Sequence, residues 1–194
     1  MRDGRARLVT IGSLEAERVV DRPDLVAPAV REAVDTWTAA PRDELWVAEI
    51  DPALADTAAF CERYGVRADR SANCVVVAAR REGRRWFAAC VVLATTRADV
   101  NGVVKKHLGA AKISFAPMDE ATAASSMEYG GITPIGLPAD WPVLIDEAVA
   151  QADRVVVGSG VRRSKIALPG ALLATLPNAT VMRIASAPSG APAA

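Results

Sequence analysis

The chain has 194 residues, about half of them hydrophobic, and its 23 Lys plus Arg are matched by 23 Asp plus Glu. That length suffices for one domain of full size, and the scarcity of aromatics implies a core built from small side chains. Zero net charge excludes a nucleic-acid binder held by bulk charge alone, and a single histidine, His107, excludes a multi-histidine metal site. Cys61, Cys74 and Cys90 match neither a CxxC zinc site nor a disulfide framework, and read as buried thiols. No apolar run reaches the ~18 residues of a membrane span, and the N-terminus has no signal-peptide core. The reading is a soluble cytoplasmic protein with no metal, no cofactor, and neither a membrane nor DNA as partner.

Residues 1–23 mix charges, glycine and short apolar runs and assign no element. Residues 24–39 place Leu25, Val26, Ala29, Val30, Ala33, Val34 and Trp37 at helical spacing, with Asp24 as the expected cap and Pro41 as the stop. Leu45 to Ala48 reads as the first strand of the main domain. Asp51-Pro52 predicts a helix running to Arg63, stopped by Gly65, with Leu54, Ala58 and Cys61 on its inner face. Residues 73–79 and 86–94 are β-branched runs joined by an arginine-studded tip, Arg80 to Arg85, and form a hairpin at the centre of a sheet. Asp99 caps a helix over 99–108 whose Lys105, Lys106 and His107 complement the helix dipole. A strand at 112–116 and an Ala-rich helix from Asp119 to about Met127 follow.

The most shaped stretch is 128–146, where Gly130-Gly131 and Pro134 make a rigid loop that runs into the strand Pro142 to Ile145, ending on Asp146. Strands at 154–158 and 164–168 flank the small-residue turn Gly158-Ser159-Gly160; a helix from Pro169 to Leu176 and a strand at 179–184 close the domain. The tail, residues 186–194, is expected to be disordered. Interleaved strands and helices give a mixed α/β (α+β) domain over 45–185 around one sheet, with 1–44 as an extension carrying one amphipathic helix.

Nucleophile-elbow, Walker, Rossmann and zinc-protease motifs are missing from the sequence. What remains are the amides of Gly130, Gly131 and Gly158, the hydroxyls of Ser125, Ser126, Thr133 and Ser159, and the polar side chains Asp146 and Asn73. Amide-rich pockets suit a carbonyl or an oxyanion. Each residue also has a plain structural reading: Asp146 as a helix cap, Ser159 as a turn former, Asn73 at a strand edge. Cys74 as a nucleophile is disfavoured, because a thiol in an apolar strand is usually inert.

In the order NCVVV, a hairpin, KKHLGAAKISFA, YGGITPIG, PVLID, VVVGSG and KIAL with a closing helix, residues 45–185 resemble the YbaK/EbsC family, the prolyl-tRNA synthetase-associated or aminoacyl-tRNA deacylase domain. The resemblance implies a barrel-like mixed sheet flanked by helices, and hydrolysis of the ester of a mischarged tRNA. It assigns catalysis to Asn73, Gly131 and Asp146. It assigns binding of the 3′ aminoacyl-adenosine end to Gly130, Thr133, Pro134, Gly158, Ser159 and Gly160. Arg84, Arg85, Lys105 and Lys106 would touch the tRNA, and an aminoacyl-tRNA synthetase is an expected partner. Two departures stand out: Asn73-Cys74 replaces the family's lysine followed by Thr or Ser, and Ser126-Met127 replaces a frequent Thr-Gly. An asparagine offers only neutral hydrogen bonds, roughly half as strong as charge-assisted ones. The expected function is therefore a trans-editing hydrolase, with a catalytically degenerate binding module, or a hydrolase of another small activated ester, as the alternatives.

Overall fold

Residues 9–186 are described in a computed structural model. The first elements lie where the sequence assigns none: strands β1 (Val9–Ile11) and β2 (Leu14–Arg18) form a hairpin, and β2 pairs with β3 (Trp46–Glu49) through Glu17↔Val47 and Arg18↔Trp46. Helix α1 spans only Pro28–Thr36. Pro28 offers no N–H and holds Ala27 extended (φ −63°, ψ 151°), so the helix cannot reach back to Asp24, which instead accepts from the Arg22 guanidinium. The expected helix from Pro52 to Arg63 is also divided. Asp51 caps only a 3₁₀ turn at Pro52–Leu54, and Asp56 restarts the chain as the cap of α2 (Thr57–Tyr64). The buried face of α2 is Phe60 and Tyr64, while Ala58 is exposed and Cys61 half-buried. Gly65 ends it with φ +67°, as expected.

Strands β4 (Ala72–Arg81) and β5 (Arg84–Leu93) pair along their whole length, Ala72↔Leu93 to Arg81↔Arg84. The turn is only Glu82-Gly83, both at positive φ, so the four arginines belong to the strands rather than to a loose tip. After β6 (Arg97–Ala98), the Asp99 carboxylate caps a wide turn leading to the short α3 (Lys105–His107). Next come β7 (Lys112–Phe115), α4 (Met118–Ser125), β8 (Val143–Asp146) and α5 (Glu147–Ala150). The chain closes with β9 (Val155–Gly158), β10 (Ser164–Leu168), α6 (Gly170–Leu173), β11 (Ala179–Met182) and β12 (Ala185–Ser186).

In place of the one sheet expected, and with β12 and β6 as a separate pair, two five-stranded sheets form, in the orders β1-β2-β3-β10-β9 and β11-β8-β5-β4-β7. A single parallel bridge, Ser71↔Val156, joins them, curling the whole into the barrel-like mixed α/β fold that was expected. β8 runs parallel to both β5 and β11, and every residue of β8 is buried. The principal core collects Val30 and Val34 of α1 with Leu45, Val91, Ile145, Ile166 and Leu173. Residues 9–44 thus contribute strands to a sheet and side chains to the core. Ser186 lies in β12; the rest of the tail expected to be disordered, residues 187–194, lies outside the described residues, as do residues 1–8. Among the described residues no helix is long and apolar enough to cross a membrane.

Candidate active site

β4 is covered by β7 only along its second half, from Val77↔Phe115 to Arg80↔Lys112. Just before its start, Ser71 makes a parallel bridge to Val156 of β9. Between these two contacts the strand edge is open. The Val76 C=O accepts from Ala116 N–H, so strand alternation turns the main chain of Ala72 and Cys74 toward this same edge, away from β5. The gap is a cleft of about 720 Å³, walled by β4, the start of α2, the glycine loop and β9–β10. Its volume suits a ligand of nucleoside size.

Asn73 lines the cleft, and its Oδ1 accepts from the Thr57 hydroxyl at 2.6 Å. The partner is a side chain rather than neighbouring backbone, and the bond leaves the amide N–H₂ as a donor group. Opposite stands Lys165 of β10, only 6% exposed, its Nζ donating to Ala55 C=O at 2.8 Å and lying 5.5 Å from the Phe60 ring centroid. Burial pushes its pKa down to about 8; Asp56 and Cys61 act in the opposite sense and Arg162 adds to the lowering. The Cys74 thiol is pushed far up by burial and stays protonated, which removes it as a nucleophile.

The glycine loop serves differently from expectation. Gly130 (φ +81°) lines the cleft. Gly131 does not: its N–H donates to Glu128 C=O at 2.9 Å and its C=O accepts from Gly160 N–H at 2.8 Å, so the amide expected to hold an oxyanion is already engaged. Gly158 borders the cleft, where a Cβ would run into the Gly131 and Ile132 carbonyl oxygens. Gly160 (φ +82°) faces Ala27 and Val30 at α1. Ser159 is fully buried, donating to Val161 or Ser164 C=O and accepting from the Ser164 hydroxyl at 2.7 Å, which makes it a turn former. Thr133 is buried away from the cleft, and Pro134 borders a separate, smaller groove beside Trp37.

Asp146 is a correction to the catalytic assignment. It does not line the cleft; its Oδ1 caps α5 by accepting from Ala148 N–H, and its Oδ2 accepts from Ile184 N–H at 2.9 Å and Ala185 N–H at 2.8 Å. Nor do Arg84, Arg85, Lys105 and Lys106 reach the cleft. Arg84 lies over Trp86, and Arg85 lies over Phe87 while pairing with Glu120.

Among the cleft residues that escaped the sequence reading are the polar side chains Asp56, Thr57, Arg162 and Lys165. Arg162 ties the glycine loop to the Asp51 turn, its guanidinium donating to Tyr129 C=O and Pro52 C=O at 2.9 Å each. One signal for Lys165 was present, a lysine inside an otherwise uncharged strand whose five residues are all buried.

A family model for the aminoacyl-tRNA editing domain matches residues 51–176, a span that contains every cleft residue named here. No curated protein matches the chain. A solved structure described as a candidate trans-editing enzyme for prolyl-tRNA synthetase superposes with a TM-score of 0.68 at 19% identity, over 83% of this chain and 99% of that one. A protein described only as hypothetical gives 0.70 at 17% identity, over 81% and 99%. A scaffold used for epitope grafting gives 0.69 at 19%, over 82% and 97%. At these identities the structural likeness speaks for the fold, whereas the family match covers well over half of the sequence. The chain belongs to the aminoacyl-tRNA editing domain family.

Proposed function

We propose that the cleft takes the 3′ aminoacyl-adenosine end of a mischarged tRNA and hydrolyses its ester. The carrying observation is the contrast between rim and floor. Phe115 (67% exposed), Met118 (56%) and Tyr129 (61%) are three of the six exposed large hydrophobics among the described residues, and all three stand at this one cleft. Below them lie the polar groups Asn73, Thr57 and Lys165. An apolar, aromatic rim offers faces on which a base can stack. A polar floor suits the ester.

The chemistry demands little of the protein. An aminoacyl ester is activated, so the site need only orient a water, or a nucleophile within the substrate, and stabilise the tetrahedral oxyanion. Asn73, held by Thr57, is a preorganised neutral donor for that task. Arg84, Arg85, Lys105 and Lys106, distant from the chemistry, supply contacts to the tRNA body in this reading, and a synthetase delivers the substrate in the cytoplasm.

Single-turnover deacylation of a panel of mischarged tRNAs tests it. Wild type is expected to cleave at least one member, and Asn73→Ala to lose ~10-fold or more in rate, the weight of a lost neutral donor. Silence of the wild type across the panel at low salt would hand the cleft to the alternative, a binding module that recognises aminoacyl-adenosine without cleaving it.

A further inference from the structure

We propose that Lys165 is the catalytic cation of the cleft, its ammonium meeting the carbonyl oxygen of the bound acyl ester. The assignment rests on the deacylase reading and adds to it a charged group from a strand other than that of Asn73. β10 places Lys165 opposite Gly158 in register, where Gly158 borders the cleft and abuts the glycine loop. An ammonium has three N–H donors. One is taken by Ala55 C=O and the Phe60 ring offers its face, but among the described residues no carboxylate forms an ion pair with it.

A buried, unpaired charge is a costly way to hold a fold together, since an apolar side chain of similar volume serves stability as well or better. Where such a charge lines a cleft, its use is chemical. The groups around it are few. Asp56 caps α2 and Cys61 lies on it, Arg162 comes from the β9–β10 turn, and the neutral Asn73 and Thr57 share the cleft.

In the reaction, water oxygen adds to the ester carbonyl carbon and the C=O π pair moves onto oxygen. The tetrahedral intermediate collapses, expelling the ribose oxygen, which takes a proton. The products are the amino-acid carboxylate, a free ribose hydroxyl and one released proton. The negative oxygen exists only between these steps. A charge-assisted hydrogen bond there lowers the barrier without tightening substrate binding.

The experiment compares wild type, Lys165→Met and Lys165→Gln by single-turnover deacylation over pH 6.5–9.5, with substrate affinity and thermal melts measured alongside. Lys165→Met is expected to lose ~100-fold in rate at saturation, the scale of a lost oxyanion donor, with affinity within ~3-fold. Lys165→Gln, which keeps a neutral donor, should fall between. Rate acceleration over spontaneous hydrolysis should decline above about pH 8 in wild type and stay flat in both variants. Lys165→Gln, which keeps a donor for Ala55 C=O, should melt near the wild-type temperature, and Lys165→Met should lose little, because removal of the buried charge offsets the stranded carbonyl. A full rate for Lys165→Met, a loss confined to affinity, or a fall in melting temperature that accounts for the lost rate would each overturn the assignment while leaving the deacylase reading standing. A wild type inactive on every substrate overturns both.

Discussion

Gly158→Ala is expected to destabilise the protein by ~3 kcal/mol or more, and to lower Tm by ~6–12 °C for a domain of this size. A Cβ at this position would sit 2.7 Å from the Ile132 carbonyl oxygen and closer still to that of Gly131. Both obstacles are main chain, so no rotamer change relieves them. They are also held in place, since Gly131 C=O accepts from Gly160 N–H and Gly131 itself packs against Val161, where a Cβ would come within 2.6 Å of backbone. The two glycine segments therefore meet backbone to backbone. Gly83→Ala is the control. Its φ of +78° costs a left-handed alanine about 1–2 kcal/mol, but nothing lies within 4 Å of the new methyl. Equal melting temperatures for the two variants would show that the loops separate easily and that the glycines mark flexibility rather than contact.

Asp146→Ala is expected to cost ~3–5 kcal/mol and ~10 °C in Tm while leaving the chemistry nearly intact. Its two oxygens accept from three backbone N–H groups, those of Ala148, Ile184 and Ala185, with Ile184 fully buried. Removing the carboxylate deletes a helix cap worth ~1 kcal/mol and strands N–H donors at ~1–3 kcal/mol each. Asp146→Asn keeps one carbonyl oxygen but turns an N–H₂ toward groups that are themselves donors, so it should recover only part of the loss. Deacylation measured at 15 °C, where the variant is still folded, should lie within ~3-fold of wild type. A ~100-fold loss of rate with an unchanged Tm would restore the catalytic assignment.

Much of this architecture was legible locally. The β-branched runs either side of Glu82-Gly83 make the β4–β5 hairpin, Asp99 caps its turn, and Gly65 stops α2, because each signal acts within a few residues of itself. The ordered motifs YGGITPIG, PVLID and VVVGSG were enough to bring the editing family into view, and that family is confirmed over residues 51–176. Where local rules competed, the sequence misled. Two successive aspartate caps divide one expected helix, and Pro28 shortens another from inside.

The site itself belongs to the tertiary structure. Asn73 gains its direction from Thr57, sixteen residues earlier, and Asp146 spends its carboxylate on Ile184 and Ala185 near the end of the chain. Pattern alone makes both residues equally plausible as chemistry. Lys165 looks like an ordinary strand lysine until β3 and β9 pair on either side of β10 and take it out of water. What the sequence determined by itself was which segments turn, pair and cap, since those energies are set between near neighbours. Which polar groups face the cleft was decided only by where β7 stops covering β4 and where β9 leaves it. That outcome depends on strand register and burial summed across the whole sheet.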